Sequence, residues 1–415
     1  MNLITPHRHI TRDPIFRLLF FNMALVILGY AIGVLTGLAS VGPMRVVKYS
    51  VLLGSILYLS QINILVLRLL AHYLKTLFTL SATFLFFALL TESPSDSLIQ
   101  VLTYIIPFLY VAFSLGYLLL RYPLPETLHA FISAINWVYL VPIVSFFATG
   151  GKLTDTNIYF ISAENEDSAF VSNHYGWSGT LFLLSGLDLL RNASLPRWRR
   201  VAIITFGLIA AYLVLISGNR TSWLSLVLVG LIFIFRYRSI SIYQKVLLFL
   251  IPLGMVYYLS RVPSSALNSR FEKTEKQQKK GEPRLNRSAT LIEYFNANPA
   301  LWVTGIGMFN KKKVKAITGW AGYHNSYFEV LFGAGIVVFT FFMYIIVVRP
   351  FWYYIRYFST HYLFFLPLLI IPYFESNLTG GQFLFFPWFI STLLMSYSTT
   401  FAETKKLMSE LPSQN

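Results

Sequence analysis

Apolar runs separated by short polar breaks recur along almost the whole chain, and about 20 such residues are what a helix needs to cross a hydrocarbon core ~30 Å thick. The pattern predicts about twelve membrane-spanning helices, near 15–37, 49–67, 76–92, 98–120, 128–149, 175–190, 199–217, 221–235, 243–260, 326–348, 361–375 and 381–398. One long polar excursion, Arg261 to Tyr323, interrupts the series between the ninth and tenth runs. Within it, RLNRSATLIEYFNANPALW carries Leu285, Ala289, Leu291, Ile292, Phe295 and Leu301 at helical spacing. This predicts an amphipathic helix along the membrane surface, ended by Asn298 and Pro299. Gly305 and Gly307 then predict a tight turn. Gly333 and Gly335, inside the next apolar run, predict close helix packing.

Composition agrees with that pattern. The chain of 415 residues is 56% hydrophobic and only 12% charged, against roughly 25% charged residues in soluble domains. The expectation is an all-α polytopic membrane protein, a single integral domain over 1–415 with one large loop at 261–325. Arg8, Arg12 and Arg17 precede the first run, and no small-residue cleavage site follows it, so a retained helix with a cytoplasmic N-terminus is expected. There is no cysteine, which excludes disulfides, thiolate metal sites and cysteine nucleophiles.

Charge then sets orientation. Twelve crossings from a cytoplasmic start place seventeen lysines and arginines inside, Arg121, Arg191 and Arg199 among them, and leave the short outer loops TESPSDS and TDTNIYFISAENEDSAF acidic. Most of the net charge of +16 is this inward-facing set, so nucleic acid is not an expected partner. The excursion is the exception. It carries twelve lysines and arginines and must lie outside, which calls for an anionic ligand or surface. For the lysines of 273–280 and 311–315, solvation or contact with anionic lipid head groups is favoured over contact with substrate.

Several polar residues stand out at the expected outer face. Arg220, in ISGNRTSW, joins two apolar runs across a very short connection, so it anchors to lipid phosphate or binds an anion inside the bundle. His324 opens HNSYFEVLFGAGIVVF, where an imidazole can accept a proton from a sugar hydroxyl, with Asn325 orienting it or capping the helix. Glu375, in IIPYFESNLTGGQ, holds Arg220, orients His324 or is a solvated helix end. His174 and Trp177 offer sugar contacts, although an interfacial aromatic belt is the favoured reading. Arginines that grip phosphate bidentately can stabilise a departing diphosphate without a metal, and no metal-ligand spacing is evident in the outer loops.

The succession ISGNRTSWL, PRLNRSATLIEYFNANPALWVTGIGMF and HNSYFEVLFGAGI resembles the O-antigen ligase and polymerase superfamily, with motifs over roughly 200–340. The resemblance implies an all-helical GT-C-like fold and a metal-independent, inverting glycosyltransferase of the bacterial inner membrane. It implies both termini cytoplasmic, a periplasmic active site, no cofactor, and an undecaprenyl-diphosphate-linked oligosaccharide as donor. Its functional arginines fall on Arg220 and Arg284, with Arg287 the near alternative to the second, and its histidine on His324, followed by Asn325. Glu375 stands where relatives often carry aspartate, and Trp302-Val303-Thr304 lengthens the path to the glycines.

The acceptor is another lipid-linked repeat in a polymerase and lipid A core in a ligase. Polymerase is preferred, since every polysaccharide locus needs one, and a chain-length regulator is then a further partner beside membrane lipids. Of the paired R-x10-G loops described for polymerases, Arg270 to Gly281 fits once and 150–174 has no arginine. A flippase for lipid-linked oligosaccharide is the alternative from another class, and it would show repeated halves.

Overall fold

The computed structural model describes residues 10–36, 74–148, 172–192, 195–219, 221–227, 283–320 and 325–355, with scattered positions elsewhere. The described residues form helices α1 (Pro14–Thr36), α2 (Lys75–Leu89), α3 (Pro94–Arg121), α4 (Leu124–Ala148), α5 (Ser172–Asn192) and α6 (Arg197–Ile216). After these come α7 (Pro283–Ala297), α8 (Leu301–Thr304), α9 (Lys311–Thr318) and α10 (Ser326–Met343), the last continuing through a π-helical turn, Tyr344–Val348, into Arg349–Tyr353. No strand occurs among the described residues.

Each apolar run that falls on described residues is a helix close to its expected bounds. Among the described residues, four helices can cross a membrane by length and composition: α3, α4, α6 and the stretch Tyr327–Tyr353. The runs expected at 49–67, 243–260, 361–375 and 381–398 lie wholly or largely outside the described residues, and that at 221–235 is described, as helix, over 221–227.

The bundle is built by neighbours in sequence and by one pair that is distant in sequence. α4 packs on α5, α5 on α6, α2 on α3, and α1 against α4. Two residues, Tyr122 and Pro123, join α3 to α4, and four, 193–196, join α5 to α6. The fully buried side chains of α3 and α4 include Tyr110, Phe131, Tyr139 and Phe146, which in a bilayer contribute through close packing, since lipid tails are as apolar as the protein interior. A buried Asn22 amide on α1 donates to Ser55 Oγ and to Tyr110 OH of α3, both at 3.0 Å. Such a bond joins helices where apolar contact alone sets no register. At the other end of α3, Arg121 pairs with buried Asp13 at 3.1 Å, and Tyr122 OH donates to the same carboxylate at 2.9 Å.

A second, smaller core sits at the end of the bundle where α2 meets α3. Leu291 and Phe295 of α7, Ile306, Val314 of α9 and Phe332 of α10 are buried together. Phe332 is its hub, 4.9 Å from the Phe295 ring and 6.0 Å from Tyr323, which stacks on it. The predicted helix ends at Ala297 as expected, but Ala289 and Ile292 of the expected stripe lie on its exposed side, and the face that packs is Leu291, Phe295 and half-buried Tyr294. The lysine run 311–315, read as a solvated or lipid-facing charge run, is helical. Asn310 caps α9 by accepting from Lys313 N at 3.1 Å, Gly319 ends it with φ 75°, and Val314 turns into the core while Lys311, Lys312 and Lys315 stay exposed.

The glycines lock this layer to α10. Ile306 N and Gly307 N donate to the carbonyls of Phe332 and Gly333 at 2.8 and 2.9 Å, and Met308 N donates to Phe87 O of α2 at 3.2 Å. Those two α10 carbonyls are available because the helix breaks at Gly335, where φ is 80° and ψ 171°, so regular i to i+4 bonding past the break is lost. A side chain at Gly335 would collide with the Val303 carbonyl, and one at Gly305, at φ 65°, with the carbonyl of Gly333. The turn expected at Gly305 and Gly307 and the close packing expected at Gly333 and Gly335 are therefore one contact.

Candidate functional site

The start of α10 is set by Asn325. Its backbone is extended, and its side-chain oxygen accepts from Tyr327 N at 2.9 Å and Phe328 N at 3.2 Å, satisfying two of the donors that a helix start leaves open. Of the two readings open for Asn325, the structure shows the cap. His324, in sequence the residue before that cap, lies outside the described residues.

One turn into α10 sits a residue that sequence reasoning passed over. Glu329 is 3% exposed, and its Oε2 has no hydrogen-bond partner. Its amide donates to Asn325 O at 3.1 Å, so the carboxylate and the cap share one turn. Close by, the hydroxyl of Tyr323 is also buried and without a partner. Burial, and after it the charge of Glu329, holds the Tyr323 phenol well above its ordinary pKa. The sequence carried a signal: Glu329 is the only Asp, Glu, Lys or Arg between Lys315 and Arg349.

Both candidate arginines of the excursion lie on α7. Arg284 is the second residue of the helix and Arg287 stands three positions on, so both belong to one face. Arg287 is half-buried, its guanidinium carbon 4.4 Å from the ring centroid of Trp320. A cation placed so gains roughly 0.5–2 kcal/mol and ties α7 to the segment after α9.

A second group of residues surrounds the connection that carries Arg220. Arg220 itself lies outside the described residues, but Asn219 and Thr221 on either side are buried, at 2% and 5% exposure. Asn219 Oδ1 accepts from Thr221 N at 3.0 Å and Ser222 N at 3.3 Å, so the connection turns straight into a capped helix start. Gly176 of α5 fits against it, since a Cβ there would stand 2.7 Å from Ser217 Oγ and 2.8 Å from Asn219 Cβ. The structure thus brings the α5 start, with His174, to the Arg220 connection. His174 is half-buried and meets Trp177 edge-on, with ring centroids 5.7 Å apart. Trp177 is buried at 6% exposure, which overturns the reading of that ring as part of an interfacial belt. Glu375 lies outside the described residues.

Charge complementarity joins the outer layer to the bundle. Lys313 Nζ lies 3.4 Å from the carboxylate of Glu92, in the loop TESPSDS. The acidic loop and the lysine helix α9 therefore meet at one end of the helices.

A family model described as O-antigen ligase matches residues 205–343. The match runs from α6 through the outer layer into α10, and it supports the O-antigen ligase/polymerase superfamily and a ligase- or polymerase-type function in general. No curated protein matches the chain.

Proposed function

We propose that the protein is a metal-independent, inverting glycosyltransferase of the bacterial inner membrane, with both termini cytoplasmic, the loop 261–325 periplasmic, and an undecaprenyl-diphosphate-linked glycan as donor. The observation that carries this reading is that one family match, 205–343, contains Arg220, Arg284 and His324 together. In the reaction, the acceptor hydroxyl oxygen attacks the anomeric carbon as the bond from that carbon to the diphosphate oxygen breaks. His324 takes the hydroxyl proton, and the lipid diphosphate leaves with its charge held by Arg220 and Arg284. Arg284 is assigned this role over Arg287 because Arg287 is engaged by Trp320.

The test is glycan transfer by purified protein in proteoliposomes. Arg220→Ala and Arg284→Ala are each expected to lower kcat roughly 10²–10³-fold, the scale of losing one donor to a developing anion. His324→Ala is expected to lower it roughly 10²–10⁴-fold. Near-wild-type turnover in all three would refute the assignment. Polymerase is the preferred form of the activity. The description of the matching model, O-antigen ligase, favours the second form, transfer to lipid A core, and offering lipid-linked repeat and lipid A core as rival acceptors in the same assay decides between them.

A further inference from the structure

Arg199, in the first turn of α6, turns toward α4 rather than toward water. Its Nη2 donates to Ser133 Oγ, its guanidinium carbon lies 5.5 Å from the Trp137 ring centroid, and its Nε is buried without a hydrogen-bond partner. Neither contact supplies a counter-charge. Arginine stays ionised in proteins, no carboxylate acts on this one among the described residues, and the chain has no Asp or Glu between Asp188 and Glu272. A half-buried guanidinium without an anion is costly, so the position calls for one.

What surrounds Arg199 narrows the anion. Trp198 meets Trp137 with ring centroids 6.4 Å apart, and both rings are exposed, at 61% and 43%. Indoles concentrate at the depth of lipid head groups. On α4, Ser133, Trp137, Leu140 and Val144 share one face by their helical spacing. Leu140 is half-buried and Val144 exposed, so apolar surface runs on from the rings. Arg197 and Arg200 stand exposed in the first turn of α6 and add a surplus of positive charge. A charged end followed by an open apolar face is the complement of a phospholipid.

We propose that the face shared by α4 and the start of α6 binds an anionic phospholipid, its phosphate on Arg199 and an acyl chain along Trp137, Leu140 and Val144. In the orientation drawn from charge the lipid belongs to the cytoplasmic leaflet. The surplus charge of Arg197 and Arg200 selects a head group of net negative charge over a zwitterionic one. α6 has 20 residues and is about 30 Å long, so this site and the Asn219 connection stand at opposite ends of the helix. The inference goes beyond the transfer reading and does not rest on it.

The test is quenching of tryptophan fluorescence by lipids with brominated acyl chains, on the full-length protein in nanodiscs of mixed phosphatidylglycerol and phosphatidylcholine. The difference between the wild type and Trp198→Phe isolates Trp198, and the bromine is carried by one lipid or the other at equal mole fraction. Phosphatidylglycerol is expected to be enriched beside Trp198 about fivefold, the scale of one basic side chain acting on an acidic head group, and Arg199→Gln to abolish the preference. Equal quenching by the two lipids in the wild type would show an unselective interfacial anchor and overturn the proposal, as would a preference that survives in Arg199→Gln. Loss of the preference to excess inorganic phosphate, against sodium chloride of equal ionic strength, would show a site for the free anion and also overturn it. Should Arg199→Gln not fold, the double variant Arg197→Gln, Arg200→Gln changes only exposed side chains and is expected to lower the preference; an unchanged preference there overturns the proposal.

Discussion

The bundle α1–α6 and the outer layer α7–α9 with the start of α10 are held by different means. In the bundle, long apolar helices bury large side chains against sequence neighbours, and no one contact dominates. The outer layer has short helices and a core of five buried side chains, and it depends on one ring, Phe332, and on backbone bonds made where glycine lets two chains approach. Apolar redundancy makes the bundle tolerant. The outer layer is specific and correspondingly fragile, and it is this layer that carries Arg284, Asn325 and Glu329.

The largest break in that contrast is expected at Gly335. Its φ and ψ belong to a region open essentially to glycine alone, costing other residues on the order of 1–3 kcal/mol, and a side chain there also meets the Val303 carbonyl. Gly335→Val should detach the outer layer, seen as rapid proteolysis within 283–320 while the bundle resists. Phe332→Ala comes next, with a loss of roughly 3–5 kcal/mol in outer-layer stability by hydrogen exchange. In the bundle, Leu118→Met, which conserves volume, should cost under about 1.5 kcal/mol, read from the shift in thermal unfolding.

Asn325→Ala removes the α10 cap and should cost about 0.5–2 kcal/mol, with a larger relative effect on glycan transfer than on thermal unfolding. The smallest effect belongs to Lys313 and Glu92. Both are substantially exposed, so a double-mutant cycle should give at most a few tenths of a kcal/mol, declining with salt.

The two regions also differ in how far the sequence could be read. The helices of the bundle follow from long apolar runs, which survive any detail of packing. Gly305, Gly307, Gly333 and Gly335 were each readable as turn or packing glycines, but the pairing of 306–307 with 332–333 joins backbone to backbone and leaves no periodic trace. In α9 the four lysines masked a short helix whose signs were present: Asn310 to start it, Gly319 to end it, and Val314 and Ile317 on one face. Glu329 was passed over inside a motif read for its histidine, although a lone carboxylate in an apolar span merits the same suspicion as Arg220. Arg287 could not be ranked against Arg284 from spacing, because its partner Trp320 is distant in sequence.

The lock at Gly335 bears on how the excursion can be studied and how it can evolve. The basic loop invites excision as a module, but its hub ring and two of its hydrogen-bond acceptors belong to the helix that follows it. A soluble fragment ending at residue 325 would lack Phe332 and Gly333, and with them the means of closing its core. The loop and the first turns of α10 form one heritable unit, to be exchanged between relatives together or not at all.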